Sequence, residues 1–170
     1  MQSNRDVWKP PPHSAYKLNF DAAVFMGLDR FGVGAVIRND KGEVMVAMSA
    51  KGPKKNCSKE VEMLACRKAI EFAMVAEFFE LVIEGDNSNV MHAISSLKAD
   101  KSFLGNVVGD IQQMICGLHW VNIGSTRRGG NKVAHVLVQH ARTIIDDMYW
   151  MEDLSPLAME ALYQDANFND

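Results

Sequence analysis

Apolar residues recur at alternate positions from Tyr16 to Val24, with Leu18, Phe20, Ala22 and Val24 on one side of an extended chain and Asp21 on the other. This period predicts a strand with one face on a core. Gly27 to Arg30 predicts a turn. The stretches FGVGAVIR (31–38) and EVMVAMSA (43–50) predict a second and a third strand, joined by the hairpin turn Asn39-Asp40-Lys41-Gly42. Gly32 and Gly34 inside the second strand suggest a close backbone approach or a bulge. The period then changes. Val61, Leu64, Ala65, Ala69, Phe72, Ala73 and Ala76 recur at helical spacing over Lys59 to Ala76, with Ser58 as the expected N-cap. ELVIE (80–84) predicts a fourth, buried-type strand ending at Gly85-Asp86. Asn87 or Ser88 can cap a helix that runs to about Leu97, and a further helix is predicted over roughly Leu104 to Cys116. LHWVNIG (118–124) predicts a fifth strand. A loop with Arg127, Arg128 and two glycines follows, and Asn131 is the N-cap candidate for a helix to about Asp146. The tail holds a short amphipathic segment after Ser155-Pro156.

This order predicts an α/β fold. Three antiparallel strands form a meander, two parallel strands extend it to a five-stranded mixed sheet, and helices cover both faces. Residues 16–146 are the expected domain, with a Pro-rich leader at 1–15 and a C-terminal extension at 147–170. WKPPPHS favours an extended polyproline segment. It reads either as a disordered leader or as a junction to an upstream domain.

Composition narrows the class. The 170 residues are 48% hydrophobic and 23% charged, as in an ordinary globular domain. The net charge of -3 argues against a uniformly basic nucleic-acid binder, though local patches still bind phosphates. Cys57, Cys66 and Cys116 are too widely spaced for a zinc site or a disulfide framework, and fit a reducing compartment. With no signal peptide and no apolar run of the roughly 18 residues that span a bilayer, an intracellular protein, nuclear or cytoplasmic, is expected.

Acidic residues at element edges carry the candidate chemistry. Asp21 interrupts an apolar strand, where Asp is disfavoured. Asp86 ends the fourth strand, and either Glu62 or its neighbour Glu60 starts the first long helix. Converging carboxylates repel unless a cation neutralises them, so this pattern points to divalent metal and phosphodiester chemistry. Glu84 precedes Gly85 and should point away from Asp86.

The stretches WKPPPHSAYKLNFDAAV, GVGAVIRNDKGEV, EVEMLACRKAIEFA, LVIEGDNSNV and GNKVAHVLVQHA, in this order, resemble the ribonuclease H family. They look most like the plant RNase H-like domain of retrotransposon-type reverse transcriptases. The resemblance implies an RNase H-like fold and hydrolysis of the RNA strand of an RNA–DNA hybrid. VEMLA matches the family's small-Glu-x-Leu-Ala pattern and selects Glu62 over Glu60. Asp21, Glu62 and Asp86 would then hold two Mg²⁺ (or Mn²⁺) ions. The family's fourth acid is replaced by His135, as in many plant relatives. A neutral nitrogen there weakens Mg²⁺ and favours Mn²⁺, or else serves as a proton shuttle. Ala22, Ala23, Asn87 and Ser88 would face the RNA strand, Arg127, Arg128 and Lys132 its phosphates, and Asn131 the substrate or its own helix as a cap. The expected partner is the hybrid, met by a monomer. The rival function is a nucleic-acid-binding module of the same fold with little or no turnover.

Overall fold

The computed structural model describes residues 7–96, 103–151, 153–154 and 156–169. Strands β1 (Tyr16–Val24), β2 (Arg30–Arg38) and β3 (Val44–Pro53) form the meander. Helix α1 (Ser58–Val75) leads to β4 (Glu80–Gly85), then α2 (Ser88–Ser95), α3 (Phe103–Cys116) and β5 (Trp120–Ser125). A 3-10 turn at Arg128–Gly130 opens into α4 (Lys132–His140), followed by β6 (Met148–Met151) and α5 (Pro156–Asn169). The sheet is mixed and runs β5-β4-β1-β2-β3-β6. β1 is antiparallel to β2 and parallel to β4, and β4 is parallel to β5.

The sheet has six strands where the sequence pattern predicted five. The extra strand is β6, which pairs antiparallel with the outer edge of β3 from Val46↔Met151 to Ser49↔Met148. Its four residues are too few to show a period of two. It also covers an edge that would otherwise be open to another chain. The tail segment expected to be short is the 14-residue helix α5, and helix α4 ends at His140, not near Asp146. There the Arg30 guanidinium takes the carbonyls of Arg142 and Ile144, and Asp147 accepts from the Lys51 amide at 3.0 Å, so the chain turns towards β6. The predicted end of the second helix near Leu97 lies outside the described residues; α2 is described to Ser95. Ser58 is not the N-cap of α1: Cys57 holds that position and its side chain makes no capping bond. Asn87 does cap α2, accepting from the Val90 amide at 3.1 Å.

Two cores sandwich the sheet. Leu18, Phe20, Val33, Ala35 and Met48 point to α1, α2 and α3 and join Ala65, Ile70, Val90 and Ile111. Val36, Val44 and Ala47 point the other way and pack on Val133 and Leu137 of α4 and Ala158 and Ala161 of α5. Helix α4 sits directly on β2 because Gly34 has no side chain. A Cβ there would lie 2.3 Å from the Ala134 carbonyl oxygen and 2.7 Å from the Val138 nitrogen. The glycine in this strand serves helix packing, one of its two expected uses.

The described part of the leader is anchored to the domain through Trp8. Trp8 is buried, donates from Nε1 to Asn19 Oδ1 at 2.9 Å, and lies 4.2 Å from the Arg38 guanidinium. Arg38 also pairs with Asp165 of α5 at 2.8 Å, with side-chain exposures of only 1% and 3%. Burial lowers the Arg38 pKa, and the neighbouring Asp165 opposes that shift. Both ends of the described chain therefore meet on one buried arginine.

Candidate functional site

Strand register brings the two aspartates together. β1 and β4 pair in parallel up to Asn19↔Glu84, and Asp21 and Asp86 each lie two residues further on. Helix α1 adds Glu62 just after its first turn. One oxygen from each of Asp21, Glu62 and Asp86 lies within 4.8 Å of the others. Glu60 is separated from Glu62 by its own ion pair with Lys55 at 3.3 Å. Glu84 stays out of the trio and takes Lys17 Nζ at 2.9 Å and Asn19 Nδ2 at 3.3 Å.

Burial and neighbouring negative charge raise two of the three carboxyls. Burial, and then the charges of Asp21 and Asp86, push the Glu62 carboxyl up to about 8. Its Oε2 is buried with no hydrogen-bond partner among the described residues. Asp21 is also raised, first by burial and then by Asp86, against the lowering effect of a bond with His135. Behind them Cys66 is fully buried, and its thiol is pushed up by that burial and by Glu62, so it is a core group and not a nucleophile. An orphaned buried oxygen, two raised carboxyls and an all-oxygen donor set fit a hard divalent cation.

His135 does not join the converging oxygens. It stands beside them on α4, with Nδ1 3.1 Å from Asp21 Oδ2 and a side chain 40% exposed. Its link to the trio therefore runs through Asp21. Of the expected substrate contacts, Ala22 and Ala23 are half-buried at the end of β1, Asn87 caps α2, and Ser88 is exposed. Arg127 and Arg128 are exposed, and Lys132 begins α4. Arg128, Lys132 and His135 are among the residues lining a cleft of about 750 Å³ between α4 and α5.

Asn131 is placed as expected but bonded otherwise. It holds the N-cap position of α4 but its side chain makes no capping bond. It is also only 1% exposed. Its Nδ2 donates instead to the Phe20 carbonyl at 2.9 Å. Sequence gave no sign of this, because the partner is a backbone oxygen on another element.

The reverse transcriptase-like family model matches residues 19–141. The chain belongs to that family. Its fold is RNase H-like, as the solved structures agree. RNase H1 from the halophilic archaeon Halobacterium salinarum NRC-1 is similar at TM-score 0.69 and 18% identity, over 76% of this chain and 98% of that one. The N-terminal RNase H domain of a Mycobacterium tuberculosis protein gives TM-score 0.65 and 17% identity, over 89% and 98%. LC11-RNase H1 in complex with an RNA/DNA hybrid gives TM-score 0.64 and 18% identity, over 74% and 95%. No curated protein matches the sequence. Strand β6 and helix α5 lie beyond the family match, yet they complete the sheet edge and cover α4. Among the described residues no helix is long and apolar enough to cross a membrane.

Proposed function

We infer that this protein is a metal-dependent endoribonuclease that hydrolyses the RNA strand of RNA–DNA hybrids. The observation that carries this reading is the convergence of Asp21, Glu62 and Asp86 within 4.8 Å, with one Glu62 oxygen buried and unpartnered among the described residues. Family membership and fold support it. So does the relative crystallised with an RNA/DNA hybrid.

In this reading the three acids hold two Mg²⁺ or Mn²⁺ ions, with His135 at the fourth position. Bound there, such ions supply an activated water and charge stabilisation at the leaving 3′ oxygen. The protein's own contribution is rigidity. Two parallel strands and one helix hold the carboxylates, so little reorganisation is needed as charge develops. His135 fixes the rotation of the Asp21 carboxylate through the 3.1 Å contact. Its partial exposure suits it to pass a proton between the site and solvent. Ala22, Ala23, Asn87 and Ser88 follow the acids in sequence and would border the RNA strand, whose 2′-hydroxyl distinguishes it from DNA. Arg127, Arg128 and Lys132 would meet its phosphates.

One observation favours the rival reading of a binding module. His135 already engages an Asp21 oxygen, so an imidazole competes with a cation for that ligand. Cleavage of an end-labelled hybrid in Mg²⁺, and separately in Mn²⁺, distinguishes the two. Internal RNA fragments are expected from the nuclease. Hybrid binding without fragments in either metal would leave the binding module.

A further inference from the structure

We propose that Asn131 is a positioning residue, which ties the start of α4 to the β1 backbone and so sets His135 against Asp21. The inference rests on the nuclease reading for its kinetic consequence but not for its geometry.

Three contacts close a ring between the two elements. Asn131 Nδ2 donates to the Phe20 carbonyl at 2.9 Å. That carbonyl belongs to the peptide that carries Asp21. The Asn131 carbonyl accepts from the His135 amide at 3.1 Å, forming the first turn of α4. His135 Nδ1 then returns to Asp21 Oδ2 at 3.1 Å. The ring therefore grips Asp21 by its backbone at one end and its carboxylate at the other.

Other features of Asn131 make sense only in this role. An asparagine at an N-cap ordinarily accepts from an amide of the first turn, a contact worth about 1 kcal/mol. This one forgoes that bond and leaves its Oδ1 buried without a hydrogen-bond partner among the described residues. A buried amide with one half unsatisfied is unfavourable, so the donor half must matter to the fold around it. Gly34 completes the arrangement. It is the cross-strand partner of Asp21, and its missing side chain lets α4 come close enough for the ring to form.

Ser49→Ala gives the matched control. Ser49 Oγ also ties α4 to the sheet, donating to the Leu137 carbonyl at 2.7 Å, a bond that involves neither Asp21 nor His135. Asn131→Ala should lower kcat on the hybrid about 10- to 100-fold with KM nearly unchanged, the scale of loss expected for a displaced catalytic group. Ser49→Ala should lower Tm comparably and keep its activity. A rise in KM at constant kcat would return Asn131 to substrate contact and overturn the proposal. Equal activity loss in both variants at equal Tm would also overturn it, by reducing Asn131 to a stability role. The ring ¹⁵N resonances of His135 in the metal-free protein give a readout free of catalysis. They should move in Asn131→Ala and stay put in Ser49→Ala; an unmoved signal overturns the proposal. If the signal moves but the wild-type protein does not cleave, the nuclease reading fails and the positioning role stands. If Asn131→Ala does not fold, Asn131→Ser is too short to reach the Phe20 carbonyl and takes its place in the same measurements.

Discussion

Glu62 binds its proton more tightly than a carboxyl in water, at about 8 against an ordinary 4.5. The folded, metal-free protein therefore keeps a proton that the unfolded chain releases between those values. The stability this group contributes is fully present below about pH 4.5, declines as pH rises, and is lost once pH passes about 8. Glu62→Gln should flatten that part of the metal-free Tm–pH profile, and a profile identical to wild type would contradict the account. The same proton must leave when a cation binds, so divalent affinity should rise with pH over this range, with proton release visible by calorimetry in buffers of different ionisation heat. His135→Asp offers a second test. It adds a carboxylate beside Asp21 and should raise Mg²⁺-dependent activity relative to Mn²⁺; an unchanged metal profile would exclude His135 from the ion site. Two of the three acids were legible in sequence because each breaks a local pattern. Asp21 interrupts an apolar strand and Asp86 ends one. Glu62 needed the family pattern to separate it from Glu60, which the structure pairs with Lys55. Asn131 was legible only as a cap, since nothing local reveals a bond to Phe20, 111 residues away in sequence.

At the scale of elements, the meander, the parallel strands and the four main helices follow from periodicity. β6 does not, because a strand of four residues on a sheet edge is defined by its partner β3 more than by its own pattern. The early end of α4 was hidden for a similar reason: the bonds from Arg30 that turn the chain come from β2. Contact between α4 and β2 through Gly34 is the most sensitive junction near the site. Gly34→Ala should destabilise the fold by about 1–3 kcal/mol in denaturant unfolding, because a methyl group cannot fit under the helix without displacing it. A change near zero would mean that α4 shifts freely, and with it the argument for a fixed His135.

Across the whole molecule, the described segments outside the family match are bound to the domain by buried contacts. Trp8, Arg38 and Asp165 join the leader, β2 and α5, while Asn19 connects Trp8 to Glu84 on β4. Trp8→Ala should cost about 3 kcal/mol, the scale of removing a buried aromatic side chain, and equilibrium unfolding measures it. A loss of a few tenths would make the leader an accessory. The polar stripe Lys17, Asn19 and Asp21, all buried on one side of β1, was readable only as the non-core face of a strand. Its burial follows from the helices and leader that cover it. The net charge of -3 argued only against a uniformly basic binder and did not point to the site, since the acids that matter are three local groups in a small volume. The most direct test of that cluster is hybrid cleavage by wild-type protein and by folded Asp86→Asn in Mg²⁺ and in Mn²⁺. Internal cuts in the RNA strand that require metal and disappear in Asp86→Asn are the predicted result. Cleavage that persists in Asp86→Asn, or its absence in the wild type with both metals, would contradict the account.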